Sequence, residues 1–148
     1  MANSLAPYLV VDGAAQAIAF YTRAFGAKET MRLAEPGGRI GHAEITIGDA
    51  LVMLADEHPE INIRGPKALG GSPVTLHLQI DDVDAVAAGA VAAGATVVFP
   101  VKDQFYGKRS GRFEDPFGHV WILSTHVEDV STEEMQRRYH DYLKQHAG

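Results

Sequence analysis

The chain repeats itself. Leu9-Val10-Val11-Asp12, an alanine-rich stretch and Gly26-Ala27 return as Leu78-Gln79-Ile80-Asp81, a second alanine-rich stretch and Gly94-Ala95, at an offset of 68 to 69 residues. A unit of that length is too short to bury a core alone, so two tandem copies are expected to close on each other. Function then falls to the side chains that face the shared interior.

Within the first copy, Ala6 to Val11 is apolar and stops at Asp12-Gly13, which reads as a strand entering a turn. From Ala14 to Phe25, the residues Ile18, Tyr21 and Phe25 fall at helical spacing, and Gly26 stands where a left-handed cap is expected. Lys28 to Ala34, Ile40 to Ile47 and Ala50 to Ala55 read as strands joined by Pro36-Gly37-Gly38 and Gly48-Asp49. In the second copy the pattern predicts a strand over Val74 to Ile80, a helix over Asp82 to Ala93, and strands over Thr96 to Val101, Gly111 to Glu114 and His119 to Thr125. Each copy is therefore βαβββ, over 5–55 and 74–127, in one α+β domain spanning 1–148. Residues 56–73, rich in Pro and Gly, read as a linker with partial lid character. Ser131-Thr132-Glu133-Glu134 is a capping box opening a helix over 131–146, with Met135, Tyr139, Tyr142 and Leu143 on one apolar stripe.

Charge and composition remove several function classes. A net charge of -6 argues against nucleic-acid binding, which draws its affinity from Lys and Arg on phosphates. With no cysteine, disulfides, thiolate zinc sites and cysteine nucleophiles are excluded. No apolar run approaches the ~18 residues of a membrane span, and the first residues lack a basic n-region, so the chain reads as cytoplasmic, with no membrane partner.

The paired modules, together with Asp103-Gln104-Phe105-Tyr106-Gly107, Asp115-Pro116-Phe117-Gly118-His119 and Thr125-His126-Val127-Glu128-Asp129-Val130-Ser131, resemble the vicinal oxygen chelate superfamily of glyoxalases, bleomycin resistance proteins and dioxygenases. The resemblance covers residues 5 to 130 and points within the superfamily to the PhnB-like branch. It implies a sheet curled into two half-cups, with ligand or metal held between them, and a homodimer. The superfamily spans lyases, dioxygenases, epimerases and binders, so chemistry must be read from the site.

In metal-using members four strand residues, typically His and Glu, converge on a divalent ion. The resemblance assigns those positions to Ala6, Met53, Thr75 and Ile122, three of them apolar with no lone pair for a hard or borderline cation and one a neutral hydroxyl. No metal and no other cofactor is therefore expected, and glyoxalase or ring-cleaving dioxygenase chemistry lacks its usual ion. Strand alternation turns Tyr8, Met53, Thr75, His77, Gln79 and Ile122 into the cup, an apolar lining with a few polar groups that suits a small organic ligand. The stretch Gln104 to Arg112 interleaves aromatics with cations, so Phe105, Tyr106 and Arg112 join that ligand-binding set as a segment closing over an anionic aromatic molecule.

Two readings of function follow. The leading one is a metal-independent small-molecule binding protein. The rival is an enzyme, either a lyase or isomerase with a displaced metal on His42, Glu44 and His77, or a metal-free acid/base catalyst centred on His77. The same three residues equally read as a His42–Glu44 surface pair and a hydrogen-bonded cavity histidine. Asp115-Pro116-Phe117-Gly118 reads as a tight turn without chemistry, and Trp121, opposite in parity to Ile122, belongs to the core.

Overall fold

A computed structural model describes residues 2–147. The first module contains β1 (Tyr8–Val11), α1 (Ala14–Phe25), β2 (Lys28–Ala34), β3 (Ile40–Ile47) and β4 (Ala50–Asp56). A 3-10 turn at Pro59–Ile61 and the short α2 (Pro66–Leu69) lie in the connection. The second module contains β5 (Thr75–Gln79), α3 (Val83–Ala92), β6 (Thr96–Asp103), β7 (Lys108–Glu114) and β8 (Val120–His126), and α4 (Thr132–His146) follows it. The sheets run β1-β4-β3-β2 and β5-β8-β7-β6, so the sequence repeat is a repeat of topology. In each, the first strand pairs parallel to the last and the other pairings are antiparallel.

Helix α1 starts at Gly13, which has a left-handed backbone and no side chain to cap with. The cap comes from β4 instead: Asp56 Oδ1 accepts from the backbone N–H groups of Gly13 (2.9 Å) and Ala14 (2.7 Å), and its Oδ2 accepts from that of Ile40. One carboxylate thereby ties the helix start to two strands. At the other end Gly26 adopts the expected left-handed conformation, with its N–H on the Thr22 carbonyl.

The modules meet through their helix-bearing faces. Leu9, Val11, Ala43, Ile45, Val52 and Leu54 of the first sheet and Phe113, Trp121 and Leu123 of the second belong to one buried cluster that also takes in α1 and α3. At its centre the Phe25 ring lies 4.8 Å from Trp121, and the Tyr21 ring 5.5 Å from it. The buried Asp115 carboxylate accepts four hydrogen bonds there. They come from Tyr21 Oη (2.6 Å), Trp121 Nε1 (2.9 Å) and the backbone N–H groups of Phe117 (2.9 Å) and His119 (3.0 Å). The Asp115 to Gly118 segment is the expected turn, with Gly118 left-handed, and it is also the polar joint between modules. Trp121 is core, as its parity requires.

The second module departs from expectation at β7, which starts at Lys108 and not at Gly111. Gly107 sits at φ +88°, and a Cβ there would meet the carbonyl of Glu128. This tight reversal lets the ladder begin at once with Lys108 opposite His126. Helix α4 opens as expected, with Ser131 Oγ accepting from the Glu134 N–H at 3.1 Å. The reciprocal half of the box is absent, because the Glu134 carboxylate binds Arg137 and Arg138. Arg138 also donates from Nη1 to the Phe105 carbonyl (3.0 Å) and to Glu128 (2.7 Å), pinning α4 onto the turn before β7.

Burial, with the adjoining Asp115 carboxylate, raises the Tyr21 phenol well above its ordinary range. Tyr21→Phe removes one bond to a buried charge and is expected to cost about 2 kcal/mol, read as a lower urea midpoint at unchanged slope in Trp121 fluorescence. Unfolded tyrosine ionises near pH 10 while folded Tyr21 keeps its proton, so its contribution is full below that pH and declines as pH rises above it. The wild type should lose stability above pH ~10 more steeply than Tyr21→Phe; parallel profiles would contradict this.

Candidate functional site

Because strand side chains alternate, the residues left over from the core occupy the concave faces. On the first module these are Tyr8, His42, Glu44 and Met53; on the second, Thr75, His77, Gln79, Ser110, Arg112, Ile122 and Ser124. His42 Nε2 lies 2.8 Å from Glu44 Oε2, and its Nδ1 lies 2.9 Å from Tyr8 Oη. With the carboxylate taking the Nε2–H, Nδ1 accepts from the phenol. Burial and then the Glu44 charge raise the Tyr8 phenol above its usual value.

His77 lies on the other module. Its Nε2 is 2.7 Å from Ser124 Oγ, and among the described residues no carboxylate contacts it. Ser124 is fully buried, which removes it as a nucleophile and makes this a structural pair. Burial, then the Lys108 charge, lower the His77 pKa, which favours the neutral ring. A neutral imidazole is able to accept a proton, but the orienting group a catalytic base needs is missing. Within one chain His42, Glu44 and His77 form no ligand set, since no group of three His, Asp or Glu suited to a metal occurs among the described residues. They belong to two different sheets, each already engaged with its own neighbours.

A cavity of about 350 Å³ opens on the second module between β6, β7, β8, the turn before β7 and the C-terminal end of α4. Ser110, Arg112 and Ile122 come from the sheet, Phe99 and Lys102 from β6, Gln104 and Tyr106 from the turn, and Tyr142 and His146 from α4. Of the expected ligand-binding residues it gathers Tyr106, Arg112 and Ile122. Thr75 adjoins Arg112, while Tyr8, Met53, His77, Gln79 and Phe105 are not in its lining. Phe105 instead supports the helix: its ring stacks on Tyr139 (5.6 Å) and contacts Tyr142 (5.5 Å). The cavity thus lies beneath α4, not between the two modules of one chain. Sequence reasoning passed over Lys102, Tyr142 and His146; the apolar stripe held Tyr142 but did not say what it covers.

The expected closing segment is also smaller than its sequence implies. Lys108 and Arg109 are in β7, where Lys108 Nζ donates to Gln79 Oε1 (2.7 Å) and Arg109 pairs with Asp84 (2.8 Å) and Asp103 (3.3 Å). Carboxylates of α3 and β6 neutralise Arg109, while Lys108 meets a neutral amide. Arg112, too, has a neutral partner: its Nη1 donates to Thr75 Oγ1 at 3.0 Å, and no carboxylate pairs with it among the described residues.

Residues 3–123 match the family model described as the Glyoxalase/Bleomycin resistance protein/Dioxygenase superfamily. The chain belongs to that superfamily. An uncharacterized protein of Mycobacterium tuberculosis is 46% identical over 136 residues, covering 90% of this chain and 80% of its own. Among solved structures, TioX from Micromonospora sp. ML1 matches with a TM-score of 0.67 and 26% identity over 85% of this chain and 100% of its own. A putative 3-demethylubiquinone-9 3-methyltransferase, PhnB protein, from Bacillus cereus matches at a TM-score of 0.63 and 21% identity over 83% of this chain and 99% of its own, a likeness of fold. The superfamily match ends at residue 123, so α4, which contributes Tyr142 and His146 to the cavity, lies beyond it.

The positions that the resemblance assigns to a metal do not suit a divalent ion in this chain. Ala6, Met53 and Ile122 offer no lone pair suited to one, and the hydroxyl of Thr75 already accepts from a guanidinium. A cation 3.0 Å from the sole oxygen donor opposes a second cation at the same place. No step through a metal is derived for this chain.

Removing the Lys108 charge by Lys108→Gln should move the His77 titration upward but leave it below that of an exposed histidine, because burial is the larger cause. Histidine ring NMR across pH 4 to 8 reads this directly. An unmoved His77, or one that titrates as an exposed residue in the wild type, would contradict the described environment.

Proposed function

We propose that this protein is a metal-independent small-molecule binding protein of the glyoxalase/bleomycin-resistance type, holding a small, partly aromatic ligand in the second-module cavity. The observation that carries the reading is the Arg112–Thr75 contact: a guanidinium stands where metal-using relatives place an ion, and it adjoins a ready-made cavity. The volume of about 350 Å³ suits a compact organic molecule, and Phe99, Tyr106 and Tyr142 supply aromatic surface for it. The Asp103 to Gly107, Asp115 to His119 and Thr125 to Ser131 motifs and the fold likeness to the Bacillus cereus PhnB protein support the PhnB-like branch. A homodimer belongs to the same reading, since Tyr8 and Met53 lie on a concave face that the cavity does not use.

The test is a ligand-observed NMR screen of small aromatic molecules against the whole protein, run before and after exhaustive EDTA treatment. Competing binders are expected, with affinity unchanged by chelation and lost in Ile122→Trp, which fills the cavity. Binding that disappears on chelation, or that persists in Ile122→Trp, would overturn the proposal.

A further inference from the structure

We infer that the second-module cavity is selective for a planar anion, an aromatic or similarly flat molecule bearing a carboxylate or phosphonate, and that α4 supplies part of the selecting wall. The inference rests on the binding reading above and goes further by naming the charge of what is bound. Its basis is a surplus of donors. The cavity brings Lys102, Arg112 and His146 together, and no Asp or Glu lines it. The chain as a whole has the opposite balance, with 19 Asp and Glu against 13 Lys and Arg.

Most arginines of this protein are paired. Arg32, Arg39, Arg109, Arg137 and Arg138 all pair with carboxylates. Of the arginines without a carboxylate among the described residues, Arg23 and Arg64 are exposed, while Arg112 is half-buried. Its guanidinium has five N–H donors, and a single side-chain partner, the Thr75 hydroxyl, engages it. Lys102 lines the same cavity with no side-chain partner among the described residues. The neutral polar groups of the wall contact one another: Tyr106 Oη and Ser110 Oγ are 3.2 Å apart, and Gln104 Nε2 donates to the Ser110 carbonyl. The half-buried guanidinium, with the exposed Lys102 ammonium on the same cavity, favours an anionic acceptor, and the fork geometry of arginine suits a carboxylate or phosphonate.

The flat body of the ligand follows from the rest of the wall. Tyr106 and Phe99 come from the sheet side and Tyr142 from the helix, with Tyr142 stacked 4.1 Å from His146. Phe105 and Arg138 hold the helix over the opening, so Tyr142 and His146 are placed by contacts of the chain itself. Ring faces on two sides with donors between them recognise a planar anion.

Four probes of one shape test this: benzoate, phenylphosphonate, neutral benzamide and cationic benzylamine, titrated calorimetrically into the whole protein at low salt. Benzoate or phenylphosphonate should bind roughly tenfold or more tighter than benzamide, the scale of one charge-assisted hydrogen bond, and benzylamine weakest. The comparison of these two anions identifies the acceptor group preferred. Arg112→Met should remove that preference, Arg112→Lys should restore part of it, and Tyr142→Ala should weaken all probes together. An unchanged urea midpoint in Trp121 fluorescence reports that Arg112→Met is still folded. Equal affinities for benzoate and benzamide, both lost in Ile122→Trp, would overturn anion selection and leave the cavity reading standing. Failure of both anions to bind a protein whose cavity accepts neutral hits from the screen would also overturn it, and failure of every aromatic would overturn both readings.

Discussion

One buried carboxylate joins the two modules. Asp115 accepts from a phenol of the first module, an indole of the second and two backbone amides of its own turn. A buried charge with fewer donors would be costly, and four donors are enough to satisfy it. Because one donor is Tyr21 on α1 and another Trp121 on β8, satisfying the charge also fixes how the modules meet. Their helix-bearing faces are consumed in the joint, and strand alternation then leaves the concave faces as the only sheet surface free to carry chemistry.

On those faces the protein has spent its polar groups unevenly. The first module closes its own account with the Tyr8–His42–Glu44 chain of hydrogen bonds. His77 is likewise occupied by Ser124, and Lys108 by Gln79. The second-module cavity is different: Arg112 and Lys102 line it, and no Asp or Glu does. A superfamily framework that elsewhere gathers carboxylates and imidazoles around an ion here gathers cations around a cavity. In the proposed reading, that local charge selects ligands by their own anionic group, with no metal between.

Much of the fold was legible because it follows local rules. The repeat, the Gly26 cap, the parity of Trp121 and the Ser131 cap are properties of short windows, and each appears in the structure. Less legible were features that depend on partners distant in sequence. Nothing near Asp115 announces Tyr21, 94 residues away, so the turn was read without its joint. Nothing near Gly13 announces Asp56 as the cap of α1. Lys108-Arg109-Ser110 has the composition of an exposed turn, yet Gly107 allows the ladder to start there and directs those cations to Gln79 and Asp84. The stripe of Tyr139 and Tyr142 marked α4 as amphipathic, but its target, the opening beside Phe105, is visible only in three dimensions.

The most direct measurement is a crystal structure of the whole protein grown with 4-bromobenzoate, using the anomalous signal of bromine to orient the ligand. The account predicts bromine inside the second-module cavity, the ring beside Tyr106 and Tyr142, and the carboxylate about 3 Å from the Arg112 guanidinium. A ligand bound elsewhere, a carboxylate turned away from Arg112, or a metal ion standing between ligand and Thr75 would contradict it.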